Sequence, residues 1–173
     1  YQTGLLMLLG KNIHLIFIFL ITLLLSGCVG TLETNSDLIA KNKLSQITAN
    51  IPTSHLEYLF YEEFNQTVGR STKNKAYKLD YSLQVSNTQT LTISQNSSNL
   101  EYTDVAVIFT VIDNNSGEVI HKGKISSEAT SGAVASLYGQ AQSSKFARER
   151  LAVQLAQRVY QNLYLYFLEN VTQ

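Results

Sequence analysis

Residues Tyr77 to Ser86 alternate without a break between large apolar and polar side chains. Tyr77, Leu79, Tyr81, Leu83 and Val85 share one parity, and Lys78, Asp80, Ser82, Gln84 and Ser86 share the other. A period of two is the geometry of a β-strand, whose successive side chains point to opposite faces. Such a strand buries one face and leaves the other to water, which is the habit of antiparallel sheets. This chain must therefore build a sheet and supply one layer to cover it.

The rest of the sheet reads from the neighbouring segments. Leu91-Thr92-Ile93 prolongs the first strand after a kink, and Gln95 to Asn99 is a turn. Tyr102 to Ile112 is a second strand, richer in Val, Ile and Phe. Asn114-Asn115-Ser116-Gly117 is a tight turn, and Glu118 to Thr130 is the third member of the meander. Earlier in the chain, Leu44 to Ile51 reads as a short strand that stops before Pro52, the only proline.

Two segments can cover this sheet. Thr53 or Ser54 is positioned to cap a helix, with Glu57 three residues after Ser54 as in a capping box. Leu56, Leu59, Phe60, Phe64 and Val68 form its apolar stripe, and Gly69 ends it. The last segment, from about Leu137 to Asn170, is one long amphipathic helix. Ala152, Ala156, Val159, Tyr160, Leu163 and Phe167 form one face, opposite Arg150, Gln154, Gln157, Arg158 and Gln161. Leu165 and Leu168 fall on the polar side, which marks either a frayed end or a contact. The order strand, helix, meander, helix predicts an α+β two-layer sandwich, with a mainly antiparallel four-stranded sheet and two helices on one face.

Upstream of this domain lies the run Leu15 to Leu25, which has the length of a signal-peptide apolar region. Lys11 precedes it, and Leu25-Ser26-Gly27-Cys28 follows. That tetrapeptide resembles a bacterial lipobox, and Cys28 is the only cysteine of the chain. The expectation is cleavage before Cys28 and acylation of its thiol, with two or more acyl chains giving stable anchoring. An uncleaved membrane-spanning helix is the rival, but Lys11 and Asn12 interrupt the stretch that would have to reach about 20 apolar residues. Val29, in place of Asp, favours the outer membrane by the sorting rule of enterobacterial lipoproteins. Met7 would give a leader of sensible length, with residues 1–6 set aside. The expected division is residues 1–27 as upstream residues and signal peptide, 28–43 as lipidated cysteine and polar tether, and 44–173 as one domain.

Chemistry is sparse. A single cysteine excludes a disulfide framework and a Cys-based metal site. Net charge is zero, with 13 basic and 13 acidic residues and no dense basic cluster, so a nucleic-acid footprint is absent. His55 and His121 are far apart in sequence, and no zinc, calcium, phosphate-loop or nucleophile-elbow motif is present. Glu62 and Glu63 are adjacent on a helix and point to different faces. No catalytic residue, metal or cofactor is expected. Ten tyrosines without tryptophan suit partly wet interfaces.

Three features together resemble the LPS-assembly lipoprotein family, LptE, in its alphaproteobacterial form. They are the element order behind a lipobox, Tyr77 to Val85 followed by a strand and turn ending Ile112 to Ile120, and the helix Phe146 to Val159 with its repeated Ala, Arg and Leu. The resemblance covers nearly the whole chain after Cys28. It implies a lipoprotein that binds the outer-membrane β-barrel LptD as a plug, assists its assembly, and aids delivery of lipopolysaccharide. A polar barrel lumen suits a neutral, mixed surface. The family is also linked to lipopolysaccharide binding through basic residues in loops beside the sheet. Gln95 to Asn99 has none here, which leaves Lys122, Lys124 and Lys145 as candidates to meet phosphate. Two other readings stand beside this one: an auxiliary lipoprotein of an ABC-type envelope lipid transport system, and a lipoprotein activator of a cell-wall synthase.

Overall fold

The computed structural model describes residues 35–69, 75–90, 100–131 and 136–170. Cys28, its apolar leader, the segment Leu91 to Ile93 and the turn Gln95 to Asn99 lie outside the described residues. The elements run α1 (Asn35–Ser45), β1 (Ile47–Ala49), α2 (His55–Val68), β2 (Tyr77–Thr90), β3 (Leu100–Asp113), β4 (Val119–Ser131) and α3 (Leu137–Glu169). They form one four-stranded sheet in the order β1-β2-β3-β4. β2, β3 and β4 make the antiparallel meander, while β1 pairs parallel to β2 at Tyr77 to Leu79. A parallel pair needs a crossover, and α2 supplies it. The architecture is α+β, an open mixed sheet with helices packed on it.

The parity of β2 decides the layers. Leu79 is fully buried, and Tyr77, Tyr81 and Leu83 pack against the core. Their partners in register are Asp113, Val111, Phe109 and Val107 on β3. Val105, Val107, Phe109 and Val111 are all buried, and they meet Leu151, Leu155, Val159 and Leu163 from α3. Phe60 and Phe64 of α2 complete that interface, and the Phe60 ring lies 4.6 Å from that of Tyr81. Val85 shares the inward parity yet is 41% exposed. The cover from α2 ends there, because Glu57 in its first turn already lies against Leu83.

Local chemistry fixes the element ends. Ser54 caps α2 by accepting from the Glu57 N–H at 3.2 Å, and Gly69 closes it at φ 80°. The Glu57 carboxylate reaches back one residue further than in a capping box. It accepts from the Thr53 N–H at 2.8 Å and the Thr53 hydroxyl at 2.6 Å. The backbone of Leu83 also helps to lower the Glu57 carboxyl, which places the helix start beside β2. In the hairpin between β3 and β4, Asp113 Oδ1 accepts the Asn115 N–H at 2.7 Å and Gly117 takes φ 73°. A bulge follows, since Val111 faces His121 while Ile112 faces Val119. Arg158 reaches from α3 to the Ser126 carbonyl and the Ser127 hydroxyl, placing a charge over part of edge strand β4.

Two expectations are corrected. The polar tether predicted over residues 28–43 gives way at Asn35 to helix α1, which buries Ala40 and Leu44 in the core. Among the described residues the helical layer therefore holds three helices where two were expected. The strand predicted from Leu44 to Ile51 shrinks to Ile47–Ala49, because Leu44 and Ser45 belong to α1.

Candidate functional site

Helices cover one face of the sheet, and the opposite face is open. On that face the register builds rows across three strands. Asp80 faces Thr110, which faces Lys122; Ser82 faces Ile108, which faces Lys124; Ser86 faces Asp104, which faces Glu128. Residues opposed in an antiparallel pair share a face, so each row is a line of neighbouring side chains.

The charges of this face are segregated. Lys78, Lys122 and Lys124 lie toward the β3–β4 hairpin end, and Asp104 and Glu128 lie toward the other end. Lys124 and Glu128 are four residues apart on one strand, roughly 13 Å. Lys78 is partly neutralised, with its Nζ 3.0 Å from Asp80 Oδ1. Neither Lys122 nor Lys124 has a carboxylate partner among the described residues. Beside them a shallow open hollow is lined by Thr110, Val119, Ile120, His121 and Lys122. Such a face can hold a partner of mixed charge, or anionic groups at its basic end, through charge-assisted hydrogen bonds.

The three predicted lysines are divided by the fold. Lys122 and Lys124 sit together on the open face. Lys145 lies on α3, in the helical layer across the sheet, with its Nζ 3.9 Å from Glu149. Sequence reasoning missed Lys78 as the third cation of the open face. Its signal was its place on the polar parity of β2, together with the register that aligns the strands.

Of the remaining titratable candidates, His55, His121 and Glu63 have structural partners. His55 Nε2 lies 3.1 Å from Glu149 Oε1, joining the start of α2 to the body of α3. His121 Nε2 lies 2.8 Å from Asn162 Oδ1, and its ring stacks at 4.4 Å on Tyr166. Gln157 donates to Glu63 at 2.7 Å. The Tyr81 phenol is pushed well above its ordinary range by burial first, then by the charge of Glu57 and by Tyr61; its hydroxyl donates to the Glu57 carbonyl at 3.3 Å. Among the described residues no group of three His, Cys, Asp or Glu side chains is placed to hold a metal ion. Among them, too, no helix is long and apolar enough to cross a membrane.

This architecture, a meander with one parallel strand and helices on a single face, is found in solved lipoproteins. A candidate lipoprotein from Caulobacter crescentus CB15 superposes with TM-score 0.60 at 20% identity, covering 76% of this chain and 97% of that one. Rare lipoprotein B from Shewanella oneidensis gives TM-score 0.56 at 14% identity, covering 73% and 97%. A minor lipoprotein from Acinetobacter baumannii gives 0.51 at 17%, covering 69% and 89%. At these identities the likeness is one of fold. No protein-family model and no curated protein sequence matches the chain.

Proposed function

We propose that this chain is an outer-membrane lipoprotein of LptE type, which binds an LptD-like β-barrel and assists its assembly and the delivery of lipopolysaccharide to the outer leaflet. One observation carries the reading: the fold matches nearly the whole length of two proteins described as lipoproteins, in a chain that itself bears Leu25-Ser26-Gly27-Cys28. The domain works by binding, with no catalytic residue. Acylated Cys28 holds it at the periplasmic face of the membrane. The open sheet face, polar and charge-segregated, supplies a surface of the kind a polar barrel lumen accepts. Within this reading Lys122 and Lys124, with Lys78, are the cations to meet lipopolysaccharide phosphate, and Lys145 stands apart from them.

The test is affinity purification of the tagged lipoprotein from detergent-solubilised envelopes. A large β-barrel recovered near one-to-one supports the proposal. Recovery of an inner-membrane transporter, or of a cell-wall synthase, overturns it in favour of the auxiliary or activator class.

A further inference from the structure

Helix α1 is apolar on two sides. Ala40 and Leu44 are buried in the core, while Leu38 and Ile39 turn outward, 52% and 44% exposed. The end of α3 repeats the pattern. Val159, Leu163 and Phe167 are buried, Leu168 packs partly against the core, and Leu165 stays 55% exposed. The two helices meet here. The Tyr164 hydroxyl donates to Asp37 Oδ1 at 2.6 Å, and Lys43 Nζ lies 5.8 Å above the Phe167 ring. Leu38 and Leu165 are the sequence neighbours of the two residues in that hydrogen bond, and each is exposed on its own helix.

We propose that Leu38, Ile39 and Leu165 form a second membrane contact, which seats the domain on the lipid surface beside its own anchor. The proposal rests on the lipoprotein reading of Cys28. Tether length argues for lipid as the occupant. Six residues lie between Cys28 and Asn35, and the seven chain steps from one to the other span at most roughly 25 Å when fully extended. The start of α1 cannot leave the neighbourhood of the bilayer. Apolar side chains held that close meet the interface at high effective concentration, so even a small patch partitions into it. The occupant is the phospholipid leaflet that holds the acyl chains.

The chain contains no tryptophan, so a single introduced one reports alone. The experiment uses the acylated mature lipoprotein reconstituted into vesicles of phosphatidylethanolamine and phosphatidylglycerol, with and without brominated acyl chains. Variants are Leu38→Trp, Leu165→Trp and, as control, Phe146→Trp. Phe146 is also exposed, but it lies 19 residues up α3 from Leu165, roughly 28 Å along the helix. Bromine should quench the first two and shift their emission to the blue, and leave the third unchanged. Equal quenching at all three positions, or none at 38 and 165, overturns the seat. Quenching that grows with the surface density of protein assigns the patch to a second copy. Burial of both reporters only after barrel is added assigns it to the barrel. Either result also overturns the seat. Flotation with the vesicles is read in parallel: protein that fails to float refutes the anchor itself, a failure distinct from that of the seat.

Discussion

Gly123→Ala tests whether the core is packed as described. Gly123 faces Phe109 across β3 and β4, and a methyl group there would lie 2.6 Å from Phe109 Cζ and 2.9 Å from Cε1. The ring must retreat by roughly 1 Å to regain ordinary contact. It has little room, because Phe109 is fully buried and its ring is held near His121 at 5.9 Å. Overpacking of this kind costs about 1–3 kcal/mol. For a domain of this size 2 kcal/mol lowers Tm by roughly 4–10 °C. Circular-dichroism melts of the wild type, Gly123→Ala, Phe109→Leu and the double variant form a cycle. Phe109→Leu alone loses buried area, but in the Gly123→Ala background it also relieves the clash. The double variant should therefore fall short of the summed losses by about 1 kcal/mol or more. A Tm unchanged by Gly123→Ala, or strictly additive losses, would refute the aromatic-over-glycine packing.

Four further outcomes follow. Burial raises the Glu57 carboxyl, but its hydrogen bonds from Thr53, Leu83 and Ser54 outweigh that and lower it below the ordinary 4.5. Its stabilisation is therefore present above that value and fades as pH falls through the lower folded one; Glu57→Gln should remove this acid dependence from urea titrations between pH 3 and 7, and an identical profile would disprove the link. Tyr81→Asp puts a charge against Phe60 and should cost about 3 kcal/mol or more in chemical denaturation. Cys28→Ala should leave a precursor that is poorly recovered with membranes on fractionation; normal recovery would refute lipid attachment. Lys122→Gln with Lys124→Gln should weaken capture of lipopolysaccharide on beads severalfold without a change in Tm, while Lys145→Gln should not; equal effects would refute the open face as the site.

Sequence periodicity carried the fold further than composition did. The parity of Tyr77 to Ser86 matched the buried and open faces as far as Leu83, and the long helix began one residue after Ser136, its observed cap. Both are local patterns, readable wherever one side of an element is covered along its length. Val85 broke the pattern because its cover depends on where α2 starts, a tertiary fact. Helix α1 was missed because only Ala40 and Leu44 turn inward, and two buried residues among polar neighbours do not make a stripe. Lys145 was grouped with Lys122 and Lys124 by proximity in sequence, although a sheet lies between them. Lys78 was passed over although its parity put it on the open face, because only the register β2-β3-β4 shows that it shares an end with Lys122.

The ends of the domain link anchor and face. Tyr77, at the start of β2, has its ring 5.3 Å from that of Phe167, and Tyr166 stacks on His121 next to Lys122. Lys43 of α1 lies over the same Phe167 ring. The basic end of the open face and helix α1 thus belong to one end of the domain, while Asp104 and Glu128 lie farther along the strands. If Cys28 carries acyl chains, an anionic leaflet would attract Lys78, Lys122 and Lys124 and repel Asp104 and Glu128. Each cation near an anionic leaflet is worth about 1 kcal/mol, falling off within a Debye length. The charge pattern would then act on orientation. It favours the upright pose in which the strands run away from the membrane, and added salt should weaken that preference while leaving the acyl anchor intact.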